Sequence, residues 1–175
     1  MQKTTFTTFE IVKKLRIERG CLREWIERGY IKPSIQTASG VGTKNLFSRL
    51  DLYQIEFFQS LVSRGLSRVE AARCADMVSY SGIKFLERCM SKKDSKYYNK
   101  PHPYPIFAII SHRTNDKGKN DPFSQFIFNL NEKKLVLKKA EDEDYILVLN
   151  LTRLREKVDS VFQLTNADNL RDLIK

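Results

Sequence analysis

The sequence has few of the residues from which disulfide frameworks, metal sites and catalytic centres are usually built. It contains 3 cysteines and 2 histidines. Cys21, Cys74 and Cys89 are odd in number and widely spaced, and no CxxC motif or His/Cys cluster accompanies them. We therefore expect reduced thiols and not disulfides or metal ligands. His102 and His112 belong to no metal-ligand or nucleophile motif, so the sequence argues against an enzyme and predicts no cofactor.

Long apolar runs are also absent. The longest ones, such as residues 106–110 and 145–149, have the length of a β-strand and are too short for a membrane span. The first residues are polar and lack the pattern of a signal peptide. With 41% hydrophobic residues and 11% aromatic residues, the chain can still build a packed core. We therefore expect a globular protein of the cytoplasm with no membrane partner.

Positive charge is in excess, but only in one part of the chain. Residues 1–100 carry 19 Lys and Arg against 10 Asp and Glu, whereas residues 101–175 carry 12 against 11. A basic part joined to a nearly neutral part indicates a polyanion as the partner of the basic part, because binding there releases counterions. A solvated basic surface without such a partner has the same composition, so charge alone does not decide between the two.

Three predicted helix starts share one pattern. Each consists of an apolar residue, a hydroxyl N-cap, an acid three positions after the cap, and a further apolar residue. The pattern occurs at residues 6–11, 47–52 and 66–71. We predict helices at these positions because the hydroxyl and the acid satisfy backbone N–H groups that a helix leaves unpaired at its start.

The pattern of apolar residues predicts a helix-turn-helix near the N-terminus. A first helix covers about residues 8–15 and a second about residues 19–28, which ends at Gly29. Only three residues separate the two helices, a spacing typical of a helix-turn-helix. Gly40 and Gly42 then mark a reversal of the chain, so we predict a β-hairpin at this point.

The character of the sequence changes after residue 80. Residues 81–104 read as a helix and a proline-rich linker. Residues 105–175 read as an α+β domain for dimerisation or effector binding, with mostly antiparallel strands. The predicted strands are residues 105–111, 123–130, 134–139 and 144–150, with a tight hairpin at 131–133. A helix over about residues 151–162 should cover one face of this sheet.

Several short motifs in the N-terminal part resemble those of the MerR transcription regulators in order and spacing. They are Thr7–Leu15 (TTFEIVKKL), Leu22–Trp25 (LREW), Gly29–Pro33 (GYIKP), Phe47–Leu52 (FSRLDL) and the joint Gly65–Ser67 (GLS). The resemblance extends over about residues 6–75, less than half of the chain. Two features depart from the family pattern: Arg16 replaces a turn glycine, and Glu18–Gly20 replaces the common start of the second helix.

The resemblance implies an α+β fold whose residues 1–80 form a MerR-like winged helix-turn-helix, followed by a small antiparallel sheet with a covering helix. In such a domain the second helix lies in the major groove of DNA, and the hairpin, or wing, follows the backbone or the minor groove. The residues expected to contact DNA are Arg19, Arg23, Glu24, Thr43, Lys44, Asn45 and Arg49. Arg23 suits guanine or phosphate, and Glu24 a cytosine amino group. Arg49 would hold a phosphate at a helix start, and Trp25 is expected to be buried.

The leading hypothesis is therefore a sequence-specific transcription regulator of MerR type. Its expected partners are double-stranded DNA, a second copy of the chain to form a homodimer, and RNA polymerase; the sequence does not specify an effector. Two alternatives stay open. One is an excisionase-like factor that bends DNA in recombination, although such proteins are usually shorter than this chain. The other is a protein-interaction adaptor on a winged-helix scaffold, which would bind no duplex even at low salt.

Overall fold

A computed structural model describes residues 4–76, 107–114, 120–127 and 145–164. In chain order the elements are β1 (Phe6–Thr7), α1 (Thr8–Leu15), α2 (Arg19–Glu27), β2 (Leu46–Phe47), α3 (Arg49–Val62), α4 (68–76, as far as it is described), β3 (Phe107–Thr114), β4 (Asn120–Ile127), β5 (Tyr145–Asn150) and α5 (Leu151–Phe162). Helices with a small antiparallel sheet confirm the predicted α+β class. The chain divides into two compact units: the first comprises Met1–Ala75 and Leu154–Lys175, and the second comprises Asp76–Arg153.

Reciprocal caps confirm all three predicted helix starts. At α1, Thr7 Oγ1 accepts from the N–H of Glu10, and the Glu10 carboxylate accepts from the N–H of Thr7 at 3.0 Å. The same exchange joins Ser48 with Asp51 at α3, and Ser67 with Glu70 at α4. Each exchange satisfies two N–H groups that the helix cannot pair itself, and it thereby fixes the residue at which the helix begins.

A tight turn joins α1 to α2. Arg16 adopts the left-handed conformation, with φ of 56°, and its N–H donates to the carbonyl of Val12. This is the conformation that glycine favours, and it occurs where the resemblance led us to expect a glycine. At the other end of α2, Gly29 follows the helix with φ of 73°, as its predicted role as a helix stop requires.

After α2 the chain reverses direction where we predicted a β-hairpin, but a single β-bridge closes the base of the reversal and residues 37–45 form no strand. Leu46 of β2 pairs with Thr7 of β1, and its N–H and C=O both bond to Gln36, at 2.8 and 3.2 Å. The N–H and hydroxyl of Ser34 both donate to Asp51, at 3.0 and 2.7 Å. We call residues 36–46 the hairpin. Because Asp51 also belongs to the α3 cap, the base of the hairpin and the start of α3 are held by one carboxylate.

The core of the first unit lies between these helices. Fully buried side chains from four elements meet there: Ile11 of α1, Leu22 of α2, Phe47 of β2, and Leu52, Ile55 and Phe58 of α3. Trp25 is buried as predicted and packs edge-on against Phe58, with ring centroids 4.8 Å apart. Leu22 and Trp25 therefore anchor one side of α2 in the core.

The second unit contains an antiparallel sheet in the order β4-β3-β5. Its strands reach further into the polar stretch after residue 111 than predicted, because Thr114 of β3 still pairs with Asn120 of β4. Pro122 lies in β4, at one edge of the three described strands, where a residue without an N–H group is tolerated. The predicted linker 81–104, the strand 134–139 and the hairpin 131–133 lie outside the described residues.

The helix α5 has the predicted bounds but packs differently from our expectation. We expected it to cover the sheet, yet from Leu154 onward it belongs to the first unit. Phe162 packs edge-on against Phe6 with centroids 5.2 Å apart, and Lys14 Nζ donates to the carbonyl of Val161 at 3.1 Å. An amphipathic stripe shows that a helix needs an apolar surface to cover, but it does not show which surface.

A buried ion pair attaches α5 to α3. Arg49 Nη2 lies 2.8 Å from Asp159 Oδ1, and both side chains are about one-tenth exposed. The hydroxyl of Tyr53 donates to the same carboxylate oxygen. Burial raises the pKa of Tyr53 well above its usual value, and the contact with Asp159 adds to that shift. Burial disfavours the charged form of Arg49 and by itself would lower its pKa. The contacts with Tyr53 and Asp159 together have the larger effect, so the pKa of the guanidinium is raised.

Removal of the Asp159 carboxylate should therefore destabilise the first unit. Asp159→Ala removes the buried carboxylate that lies 2.8 Å from Arg49 Nη2, and we expect the free energy of unfolding to fall by about 3 kcal/mol. Urea denaturation followed by the fluorescence of Trp25, the single tryptophan of the chain, reports on this unit. The control is Glu156→Ala, an exposed position of the same helix, for which we expect a change within about 0.5 kcal/mol. Equal effects of the two substitutions would contradict this role of the ion pair.

Candidate nucleic-acid interface

The helix α2 has one apolar side and one charged side. Leu22 and Trp25 are buried, while Arg19 and Arg23 are exposed and lie one turn apart. With its side chains an α-helix is about 10–12 Å across, which matches the width of about 12 Å of the major groove. The structure thus brings together the two arginines that the sequence singled out on α2, on a helix of suitable size for a groove.

Arg23 forms an ion pair along the exposed side of α2. Its Nε donates to Glu27 Oε1 at 2.6 Å, and the two side chains are 77% and 59% exposed. The hydrogen bond to Glu27, together with the charge of that carboxylate, raises the pKa of the Arg23 guanidinium. One edge of the cationic Arg23 guanidinium is therefore hydrogen-bonded to a neighbouring acid.

Glu24 connects α2 to α4. Its Oε1 accepts from Arg28 Nε at 3.0 Å and from Arg68 Nη1 at 2.8 Å. Arg28 lies one turn further along α2, whereas Arg68 is the first residue of α4. The carboxylate therefore forms ion pairs with two guanidiniums whose side chains remain substantially exposed, 61% for Arg28 and 44% for Arg68.

Side chains close the tip of the hairpin. The hydroxyl of Thr43 accepts from the N–H groups of Ser39 and Gly40, at 2.9 and 3.0 Å, and donates to the carbonyl of Gly40 at 2.7 Å. Asn45 Oδ1 accepts from the N–H of Ala38 at 2.7 Å. Thr43 and Asn45, which we expected to contact DNA, are thus the residues that brace this loop. Gly42 at the turn has φ of 85°, the left-handed conformation that its predicted role requires.

Lys44 lies between the two bracing residues and is exposed. Because the backbone of the tip is tied by Thr43 and Asn45, the Lys44 ammonium is carried by an ordered loop. An exposed ammonium on an ordered loop is suited to hold a phosphate as a point charge.

Comparison with models of protein families and with curated proteins found no match. Within the ranges that the structure describes, no three His, Cys, Asp or Glu residues are grouped to hold a metal ion. In the same ranges, no helix has the length and apolar character needed to cross a membrane.

Arg49 does not join this surface. We expected it to hold a phosphate at the start of α3, but its side chain is buried and paired with Asp159. Its partner lies 110 residues away in the sequence, so the motif around Arg49 contained no signal of the pair. We assign Arg49 a structural role and leave it out of the proposed interface.

The structure adds charged residues that we did not single out from the sequence. The i, i+4 spacing of Arg23 with Glu27 and of Glu24 with Arg28 is a recognisable signal of pairing on a helix. The contact of Glu24 with Arg68 spans 44 residues and has no such signal. Together these pairs show that the acids of α2 each hold an arginine.

The charge of α2 is balanced within the helix. Residues 18–28 contain 3 Arg and 3 Glu, although residues 1–76 as a whole carry 13 Lys and Arg against 8 Asp and Glu. The excess positive charge of residues 1–76 thus comes from residues outside the segment 18–28. A helix whose acids and arginines are equal in number can hold individual guanidiniums in place although it has no net positive charge.

The bracing of the hairpin tip gives a testable prediction. Thr43→Val keeps the shape of the side chain but removes the hydroxyl that accepts from Ser39 and Gly40. We expect the amides of these two residues to exchange with water about fivefold faster, as the loss of one net hydrogen bond implies. Amide exchange measured by NMR checks this. The amide of Ala38, which bonds to Asn45, is the internal control and should not change; equal acceleration at all three amides would contradict the assignment.

Proposed function

We propose that this protein is a sequence-specific duplex DNA-binding transcription regulator of MerR type that works in the cytoplasm. The helix α2 enters the major groove, and the hairpin lies on the neighbouring backbone or minor groove. The observation that carries the proposal is the pair Arg19 and Arg23 on the exposed side of a short helix whose opposite side is anchored in the core. Arginine presents a fork that matches the two acceptors of a guanine edge.

The remaining charged residues divide into different roles. Lys44 on the braced hairpin contacts phosphate and carries no sequence information. We expected Glu24 to accept a hydrogen bond from a cytosine amino group, but in this structure it forms ion pairs with Arg28 and Arg68. We infer that Glu24 holds these two guanidiniums in place beside the groove. A carboxylate between two arginines prevents them from repelling each other when no DNA is bound.

The second unit has a supporting role in this proposal. Its antiparallel sheet serves dimerisation or the binding of an effector, and RNA polymerase is the further partner that the MerR-type assignment implies. An excisionase-like role in recombination would use the same α2 and hairpin to bend DNA. The positions of bound sites in a genome separate the two roles, because a regulator occupies promoters.

One observation favours a second function. Because the charges of residues 18–28 cancel, α2 also has the charge balance of a surface that binds another protein. In that case the domain is an adaptor on a winged-helix scaffold. The two functions differ in one measurable respect: a DNA-binding regulator must bind duplexes at low salt, whereas the adaptor need not.

The salt dependence of binding tests the proposal. Several Lys and Arg side chains should displace counterions from the duplex, so we expect a log–log slope of affinity against salt of about −3 to −6. The measurement is fluorescence anisotropy of a labelled duplex titrated with the full chain at several salt concentrations. A flat response would contradict the electrostatic account, and the absence of duplex binding at low salt would favour the adaptor.

A pair of substitutions separates reading of bases from contact with phosphate. We expect Arg23→Ala to weaken binding by about 1–3 kcal/mol mainly on the preferred site, and Lys44→Ala to weaken binding to all duplexes by similar amounts. The measurement is the ratio of affinities for a preferred duplex, selected from a random pool, and for a random duplex. Circular dichroism verifies that both variants are folded. If folded Arg23→Ala lost affinity equally for both duplexes, Arg23 would be a phosphate contact and not a base reader.

A further inference from the structure

The contact between Arg23 and Glu27 occupies one specific edge of the guanidinium. A guanidinium has two edges that can grip a pair of acceptors: a side edge that includes Nε–H, and an end edge formed by the two Nη groups. Glu27 Oε1 accepts a hydrogen bond from the Nε–H group of Arg23 at 2.6 Å. The side edge is therefore engaged by the protein itself, and the end edge is the one left for a pair of acceptors outside the helix.

Stability does not explain this ion pair. Both side chains are largely exposed, and an exposed i, i+4 pair stabilises a helix only slightly. The orientation is also unusual for helix stability, because the acid lies C-terminal to the base, where the helix dipole disfavours it. We expect the effect of Glu27 to be greater on the position of Arg23 than on the fold.

A carboxylate at this place discriminates between the two kinds of DNA acceptor. A guanine edge offers two neutral acceptors, O6 and N7, to the end edge of an arginine. A phosphate also suits that edge, but it brings a negative charge to within a few ångströms of the Glu27 carboxylate, and the two charges repel each other. The guanine edge carries no net charge and avoids this repulsion.

We infer that Glu27 is a positioning residue for sequence recognition: it directs the end edge of Arg23 towards a guanine and disfavours phosphate at the same arginine. This inference rests on the proposed DNA-binding function and adds a specificity-determining residue to it. The balanced charge of residues 18–28 agrees with it, because non-specific attraction to DNA then comes from Lys44 and other residues outside α2.

The test compares variants of the full chain on two duplexes. The probes are a preferred duplex selected from a random pool by the wild-type protein and a random duplex of equal length. Glu27→Gln keeps an acceptor oxygen but removes the charge, and Glu27→Ala removes both. We expect either substitution to tighten binding to the random duplex and to lower the ratio of the two affinities by about fivefold or more. The salt slope on the random duplex should become steeper by about 1, as one added phosphate contact implies.

Two controls isolate the role of Glu27. Glu18→Gln removes the same charge at the exposed N-cap of α2, and we expect it to change both affinities equally. In a background of Arg23→Ala, Glu27→Gln should no longer affect the ratio, because its target is gone. Circular dichroism verifies that every variant is folded.

The possible results separate this inference from the proposed function. If the wild-type chain prefers no duplex over random DNA, the proposed function fails and the inference fails with it. If the wild-type chain discriminates but the Glu27 variants keep the same ratio, only the role of Glu27 is overturned. A loss of the ratio with Glu27→Gln as large as with Glu18→Gln would also overturn it, since the effect would then be one of overall charge.

Discussion

The buried contact between Arg49 and Asp159 joins two distant parts of the chain into the first unit. It joins the start of α3 to a helix that lies more than 100 residues later in the chain, and Tyr53 donates to the same carboxylate. Arg49 directly follows Ser48, which caps α3, and β2 precedes that cap. The residues that set the base of the hairpin and those that hold α5 are therefore neighbours. Because a buried guanidinium needs a counter-charge, we expect the N-terminal 75 residues to need α5 for their native packing.

This architecture assigns the charged residues of the first unit to two different tasks. Buried charges such as Arg49 hold elements together, whereas exposed charges on α2 and the hairpin are available to a partner. Both acids of α2 bind an arginine, as Glu24 does with Arg28 and Arg68. On such a helix, selectivity comes from the orientation of the arginine side chains. The net attraction to a polyanion comes from basic residues outside the helix.

Local interactions could be predicted from the sequence, and distant ones could not. The caps at Thr7, Ser48 and Ser67 depend on residues three positions apart, so their motifs predicted the helix starts correctly. The exposed position of Arg23 followed from helical periodicity for the same reason. The partner of Arg49 and the surface covered by α5 depend on tertiary packing, which leaves no local pattern. The roles of Thr43 and Asn45 were missed because a polar residue at a loop tip can bond inward to the loop as well as outward to a ligand.

The most direct test of DNA recognition by α2 and the hairpin is an NMR titration of the isotopically labelled full chain with a duplex selected from a random pool. The account predicts that amide chemical shifts change mainly in residues 19–28 and 38–45, with residues 154–162 largely unaffected. Because α5 is held to α3 by the buried pair of Arg49 and Asp159, shifts in residues 154–162 would report a rearrangement of this packing and not contact with DNA. Shifts confined to residues outside α2 and the hairpin, or no shifts with any duplex at low salt, would contradict the account.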